Sequence, residues 1–117
     1  MIAFPANADM VVVHTPVSFA CGIDGMCRYC RIILNREPME RAYFLFINKR
    51  KEKVRVLWCD GQGFVLCMKR LSQGTFRNWP KPGENFSSVA TFFQAHVLIS
   101  GREMTVKKSQ AIWKNIL

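Results

Sequence analysis

A chain of 117 residues, half of them apolar, is the length of one domain and can bury a single core without disulfide or metal staples. Seventeen Lys and Arg against eight Asp and Glu leave a formal charge of +9, which argues for a polyanionic partner or an acidic surface and says nothing about fold. The opening "MIAFPANADMVVVHTP" lacks the basic and apolar regions of a signal peptide and no stretch approaches a membrane span, so the expectation is a soluble, cytoplasmic protein.

In chain order, "DMVVVHTPV" (9–17) carries a β-branched run stopped by Pro16, which suits a short strand at a sheet edge or leading into a helix. From Gly22 to Asn35 the apolar positions Ile23, Met26, Cys27, Cys30, Ile33 and Leu34 follow helical spacing, with Arg28 and Arg31 on the other face, and Glu37-Pro38 ends the helix. "RAYFLFIN" (41–48), "VRVLWC" (54–59), "FVLCMKR" (64–70) and "TFRNW" (75–79) read as strands. The separators "KRKEK", "DGQG" and "SQG" are short enough to force antiparallel neighbours, so residues 41–79 are expected to form a four-stranded meander. "PKPGENF" breaks the sheet. Ser87 or Ser88 is then placed to cap a helix over 88–99 with the stripe Val89, Phe92, Phe93, His96 and Val97, closed by Gly101. The tail 102–117 is basic and can add a third short helix. The reading is a single α+β domain over 1–117: an antiparallel β-meander of about four to five strands covered by two or three helices.

Few residues here point to catalysis or metal binding. The five cysteines (21, 27, 30, 59 and 67) are odd in number, and in a reducing compartment they read as small core hydrophobes with no structural disulfide expected. Cys27 and Cys30 form a C-x-x-C, but zinc needs four ligands and no second close Cys or His pair exists; both fall on the helix's apolar stripe. Asp60 could serve as a metal-binding carboxylate or general base, yet residues 41–82 offer only Glu52 besides, and an acid followed by glycine is ordinary turn chemistry. His14 and His96 are far apart in sequence, and His96 on an apolar stripe reads as a hydrogen-bonded core histidine. "DGQG" lacks the following lysine and helix of a phosphate loop. The expectation is therefore a non-enzyme without metal or cofactor.

The charge makes a stronger case because it is unevenly placed. Residues 1–40 hold three basic and four acidic side chains, 41–82 ten and two, and 83–117 four and two. In a meander, the tip "NKRKEK" (48–53) and the returning Lys69-Arg70 come to the same end. Lys49, Arg50, Lys51, Lys53, Arg55, Lys69 and Arg70, with Arg77 on the next run, are the expected DNA contacts, suited to neutralising phosphates. The competing reading is that lysines blunt hairpin tips for solubility.

The stretch "FLFINKRKEKVRVLWCDGQGFVLCMKRLSQGTFRNWP" (44–80) closely resembles the signature of the small accessory proteins encoded by the second reading frame of the sixty-six-type bacterial insertion sequences, often called TnpB. That family has an F-x-F start, a basic tip, an aliphatic-aromatic strand, D-G-Q-G, then K-R-L-x-x-G-x-F and W-P. Phe44, Phe46, Lys49, Arg50, Leu57, Trp58, Asp60, Gly61, Gln62, Gly63, Lys69, Arg70, Leu71, Gly74, Phe76, Trp79 and Pro80 fit it in order. Weaker similarity extends through "GIDGM" (22–26) and "LISG" (98–101). Two departures stand out: Ser18-Phe19-Ala20-Cys21 occupies the place of an Asp-Met-Arg-Lys run, and the tail after Gly101 is atypical. The resemblance implies DNA binding in support of transposition, beside a separate transposase and other element-encoded proteins, with insertion-sequence ends as the DNA. The alternatives are an adaptor that captures the transposase through exposed aromatics such as Trp79 or Trp113, and a metal-dependent nuclease built on Asp60.

Overall fold

The computed structural model describes residues 7–100. Its elements are β1 (Asp9–Val13), α1 (Ile23–Ile32), β2 (Ala42–Ile47), β3 (Lys53–Cys59), β4 (Phe64–Arg70), β5 (Ser87–Ala90) and α2 (Phe92–Ser100). The five strands form one sheet in the order β4-β3-β2-β1-β5. This is an α+β fold with a mostly antiparallel sheet, as the sequence implies.

The centre of the sheet is the most apolar part of the chain. All six residues of β2, Ala-Tyr-Phe-Leu-Phe-Ile, are buried, because layers cover both faces and neither set of alternating side chains can be polar. Phe44 and Phe46 join Val11, Val13, Leu57, Met26, Cys27 and Cys30 on the α1 face. Tyr43, Leu45 and Ile47 join Met10, Val12, Val54, Val56, Trp58 and Ala95 on the α2 face. Cys27 and Cys30 are thus buried on the helix's inner face, as their spacing predicts. Residue 25 must be small: a Cβ there would stand 2.5 Å from the Cys21 Cβ, so Gly25 lets the first turn of α1 close over the preceding loop. Asn35, at φ 54°, then turns the chain so that the Arg36 amide reaches the Cys30 carbonyl at 2.9 Å.

Four local expectations are corrected. β1 leads into α1, one of its two expected places, but it is not an edge strand: it lies between β2 and β5 and runs parallel to β2, because α1 crosses over and returns the chain to the end where β1 began. The meander has three strands, β2-β3-β4, and not four. "TFRNW" (75–79) is not a strand; Phe76 and Trp79 turn inward from a loop and are 1% and 5% exposed, and the Trp79 indole N–H donates to the Val13 carbonyl at 2.8 Å. Its aromatics are drawn to the α2-face core, where a straight strand beside β4 would have left one of them in solvent. Finally, Ser87 and Ser88 do not cap a helix. They belong to β5, antiparallel to β1, with the Ser88 hydroxyl bonded to His14 Nε2 at 2.8 Å. The helix starts after Thr91, where the Thr91 hydroxyl accepts the Gln94 amide at 3.0 Å and Gln94 Oε1 accepts the Thr91 amide at 2.9 Å, a reciprocal cap. His96 is exposed rather than in the core. Gly101 and the tail lie outside the described residues.

Candidate nucleic-acid interface

The β2–β3 hairpin tip is organised by Asn48. Its Oδ1 accepts the amides of Glu52 and Lys53 at 3.0 and 2.9 Å, while its carbonyl accepts the Lys51 amide at 3.0 Å. These bonds hold Lys51 at φ 58° and fix Lys49, Arg50 and Lys51 on the outside of a tight turn, all exposed. An asparagine opening a polar tip is ordinary turn chemistry, a signal independent of the charge of this stretch.

The register brings the second cluster to the same end. Lys53 pairs with Arg70 and Val54 with Lys69. The Leu71 amide donates to the Glu52 carbonyl at 2.9 Å and the Phe76 amide to the Lys51 carbonyl at 2.7 Å, so the loop after β4 is tied to the tip and Arg77 follows beside it. Lys49, Arg50, Lys51, Lys53, Arg70 and Arg77 therefore share one end of the sheet. A concavity of about 330 Å³ opens there between the tip and the loop before α1, lined by Val17, Ser18, Phe19, Asn48, Lys49, Arg50, Glu52 and Lys53. Ser18 and Phe19 were not singled out by charge; they are recruited because α1 carries its preceding loop over the tip.

Two cations in the sequence-predicted set have partners within the fold. Arg55 is half-buried: its guanidinium donates to the Cys21 carbonyl at 2.8 Å and lies over the Phe19 ring, 4.5 Å from the centroid. It fastens the loop before α1 to β3. Lys69 and Arg70, being neighbours on a strand, point to opposite faces; Lys69 Nζ reaches the Ile99 carbonyl at 2.9 Å near the end of α2, where a cation meets the negative end of the helix dipole.

The opposite end of the sheet holds Asp9, Glu37, Glu40 and Asp60, while Glu52 stays within the basic tip. Arg36 bridges Asp9 and Glu40, and Arg31 pairs with Glu37. Asp60 opens the β3–β4 turn there, and its Oδ1 accepts the amides of Gln62 and Gly63 at 2.9 and 3.0 Å. Gly61 has φ 96°. Among the described residues, no three His, Cys, Asp or Glu side chains gather in metal-holding geometry, and no helix is long and apolar enough to cross a membrane.

With this arrangement in view, the family described as "IS66 Orf2 like protein" matches residues 8–109. The chain belongs to the IS66 Orf2-like family. The match takes in every strand and helix of the fold and both basic clusters. Two proteins of Sinorhizobium fredii are similar over nearly their whole length. Uncharacterized protein y4hO is 29% identical over 114 residues, 97% of this chain and 96% of its own. Uncharacterized protein y4jC is 28% identical over 113 residues, 96% of this chain and 94% of its own. No solved structure matches. Membership in the IS66 Orf2-like family supports an accessory role in insertion-sequence transposition.

Proposed function

We propose that this protein is a non-catalytic, DNA-binding accessory protein of insertion-sequence transposition, acting in the cytoplasm beside the transposase and gripping the phosphates of element-end DNA with the basic end of its sheet. The observation that carries the reading is the convergence of Lys49, Arg50, Lys51, Lys53 and Arg70 at one end through the Lys53–Arg70 pairing, away from the Arg31 and Arg36 ion pairs that engage Asp9, Glu37 and Glu40. Cations without an ion-pair partner among the described residues can bind polyphosphate backbones by releasing counterions. Arg77 stands at the margin of this surface, whereas Arg55 and Lys69 support it from within.

The alternatives draw less support. Trp79, the described aromatic of the adaptor reading, is buried and bonded to Val13; Trp113 lies outside the described residues. For the nuclease reading, Asp60 Oδ1 is committed to two backbone amides of its own turn. The test is a salt-titrated binding assay on insertion-sequence end DNA against a scrambled duplex. Binding that falls steeply with salt and favours the element end is expected; affinity that does not change with salt overturns the reading, and equal affinity for the two duplexes reduces it to non-specific electrostatics.

A further inference from the structure

Among the described residues, β4 has a neighbour on one side only. The hydrogen-bond pattern shows which of its backbone groups face outward. Leu71 donates to the Glu52 carbonyl and Asp60 to the Gly63 carbonyl, which sets pairs 52–71 and 60–63 as hydrogen-bonded in the β3–β4 register. Alternation along an antiparallel ladder then gives Val65, Cys67 and Lys69 to β3 and turns the N–H and C=O groups of Phe64, Leu66, Met68 and Arg70 to the free edge. The β2–β3 ladder agrees, since the Asn48 amide donates to the Lys53 carbonyl and assigns the odd residues of β3 to β2. This edge is seven residues long, contains no proline, and is uncharged from Phe64 to Met68, with Met68 54% exposed. Natural sheets usually blunt such an edge with charge, proline or a covering segment.

We propose that the edge of β4 pairs antiparallel with β4 of a second copy of this chain, joining two five-stranded sheets into one. Self-pairing suits the sequence of the edge. A two-fold axis at Cys67 sets Phe64 opposite the mate's Arg70 and Leu66 opposite the mate's Met68, overlaps all seven residues, and matches outward-facing groups with outward-facing groups, about eight hydrogen bonds in all. Charge selects the direction: the Lys69-Arg70 pairs go to opposite ends of the interface and each guanidinium lies against an aromatic ring, whereas a parallel arrangement would stack the cations together. An extended peptide from another protein is the other occupant such an edge admits.

The test is sedimentation equilibrium of the full chain without DNA, in reductant, combined with amide exchange. A concentration-dependent dimer is expected, with the Phe64, Leu66, Met68 and Arg70 amides protected at high concentration and exchanging at low, while those of Val65, Cys67 and Lys69 stay protected throughout. Met68→Pro removes an outward donor without touching the β3 ladder and should weaken the dimer at least about tenfold; Met68→Lys, at the same exposed position, does so by charge if the proline variant folds poorly. Raising salt should tighten the dimer by screening the repulsion between two +9 chains, the opposite of its effect on DNA binding, so failure of one proposal is distinguishable from failure of the other. A monomer at all concentrations, or a dimer whose even-numbered β4 amides exchange freely, overturns the proposal.

Discussion

At Asp60 the useful atom is Oδ1, which serves two amides of its own turn, and those amides hold the carboxyl below its ordinary value of 3.8. The charged form is favoured by folding, so its stabilisation is present above that value and is lost as pH falls through the lowered one. Asp60→Asn keeps an accepting oxygen and should fold normally while losing this part of the acid sensitivity, measured as a shallower fall of melting temperature below pH 4. Gly61→Val should do far more harm. Nothing stands within 4 Å of a Cβ at that position, so the cost is purely that of a β-branched residue at φ 96°, about 1 to 3 kcal/mol; unchanged thermal stability would contradict the turn geometry. This turn was legible in the sequence because aspartate and glycine each have a local reason to be there. Arg55 was not, because charge alone cannot distinguish a cation that meets a phosphate from one folded over Phe19. Arg55→Lys loses the planar stack and the directed bond to Cys21, and is expected to destabilise the fold by about 1 kcal/mol. DNA affinity per folded molecule should change less than in Lys51→Ala, measured by titrating both variants at equal folded concentration.

Among the elements, α1 and β2 to β4 were legible and the flanks of the sheet were not. Helical spacing of Met26, Cys27 and Cys30 depends only on which side faces the core, and burial pushes the Cys30 thiol up to about 12. Cys27 is raised too, with burial again the leading cause. Neutral, buried thiols react slowly, so in native protein at pH 8 alkylation of Cys27 and Cys30 should lag well behind Cys21, Cys59 and Cys67, which are half-buried; equal rates would place the pair outside the core. The same local logic failed for "TFRNW" and "SSVA". Alternating aromatics suggested that the first was a strand, but Phe76 and Trp79 satisfy the core from a loop. The apolar spacing of Val89, Phe92 and Phe93 suggested a helix, but residues 87–90 gain more by hydrogen bonding to β1, which otherwise lacks a partner on that side. Pairing between strands far apart in sequence overrides local propensity in both cases.

At the scale of the whole molecule, the sheet is polar along its strands, with the Arg31 and Arg36 ion pairs and Asp60 at one end and the tip 49–53, Arg70 and Arg77 at the other. On the proposed function, a duplex approaching the basic end would meet cations held by the Asn48 turn and the Lys53–Arg70 pairing. Phosphate contacts have a measurable signature. Changing Lys49, Arg50, Lys51, Lys53 or Arg70 to Ala, one at a time, should weaken binding to specific and scrambled duplexes alike and reduce the log K against log salt slope by about 1 each. Arg28 on the outer face of α1 and Arg41 at the acidic end are equally exposed and remove the same charge, yet each should alter the slope much less. Arg102, Lys107, Lys108 and Lys114 lie outside the described residues, and neutralising them together should also change the slope less than neutralising four of the tip residues. Equal slope changes for the tip and for Arg28 and Arg41 would mean that net charge alone attracts DNA, and the localised surface would have to be abandoned.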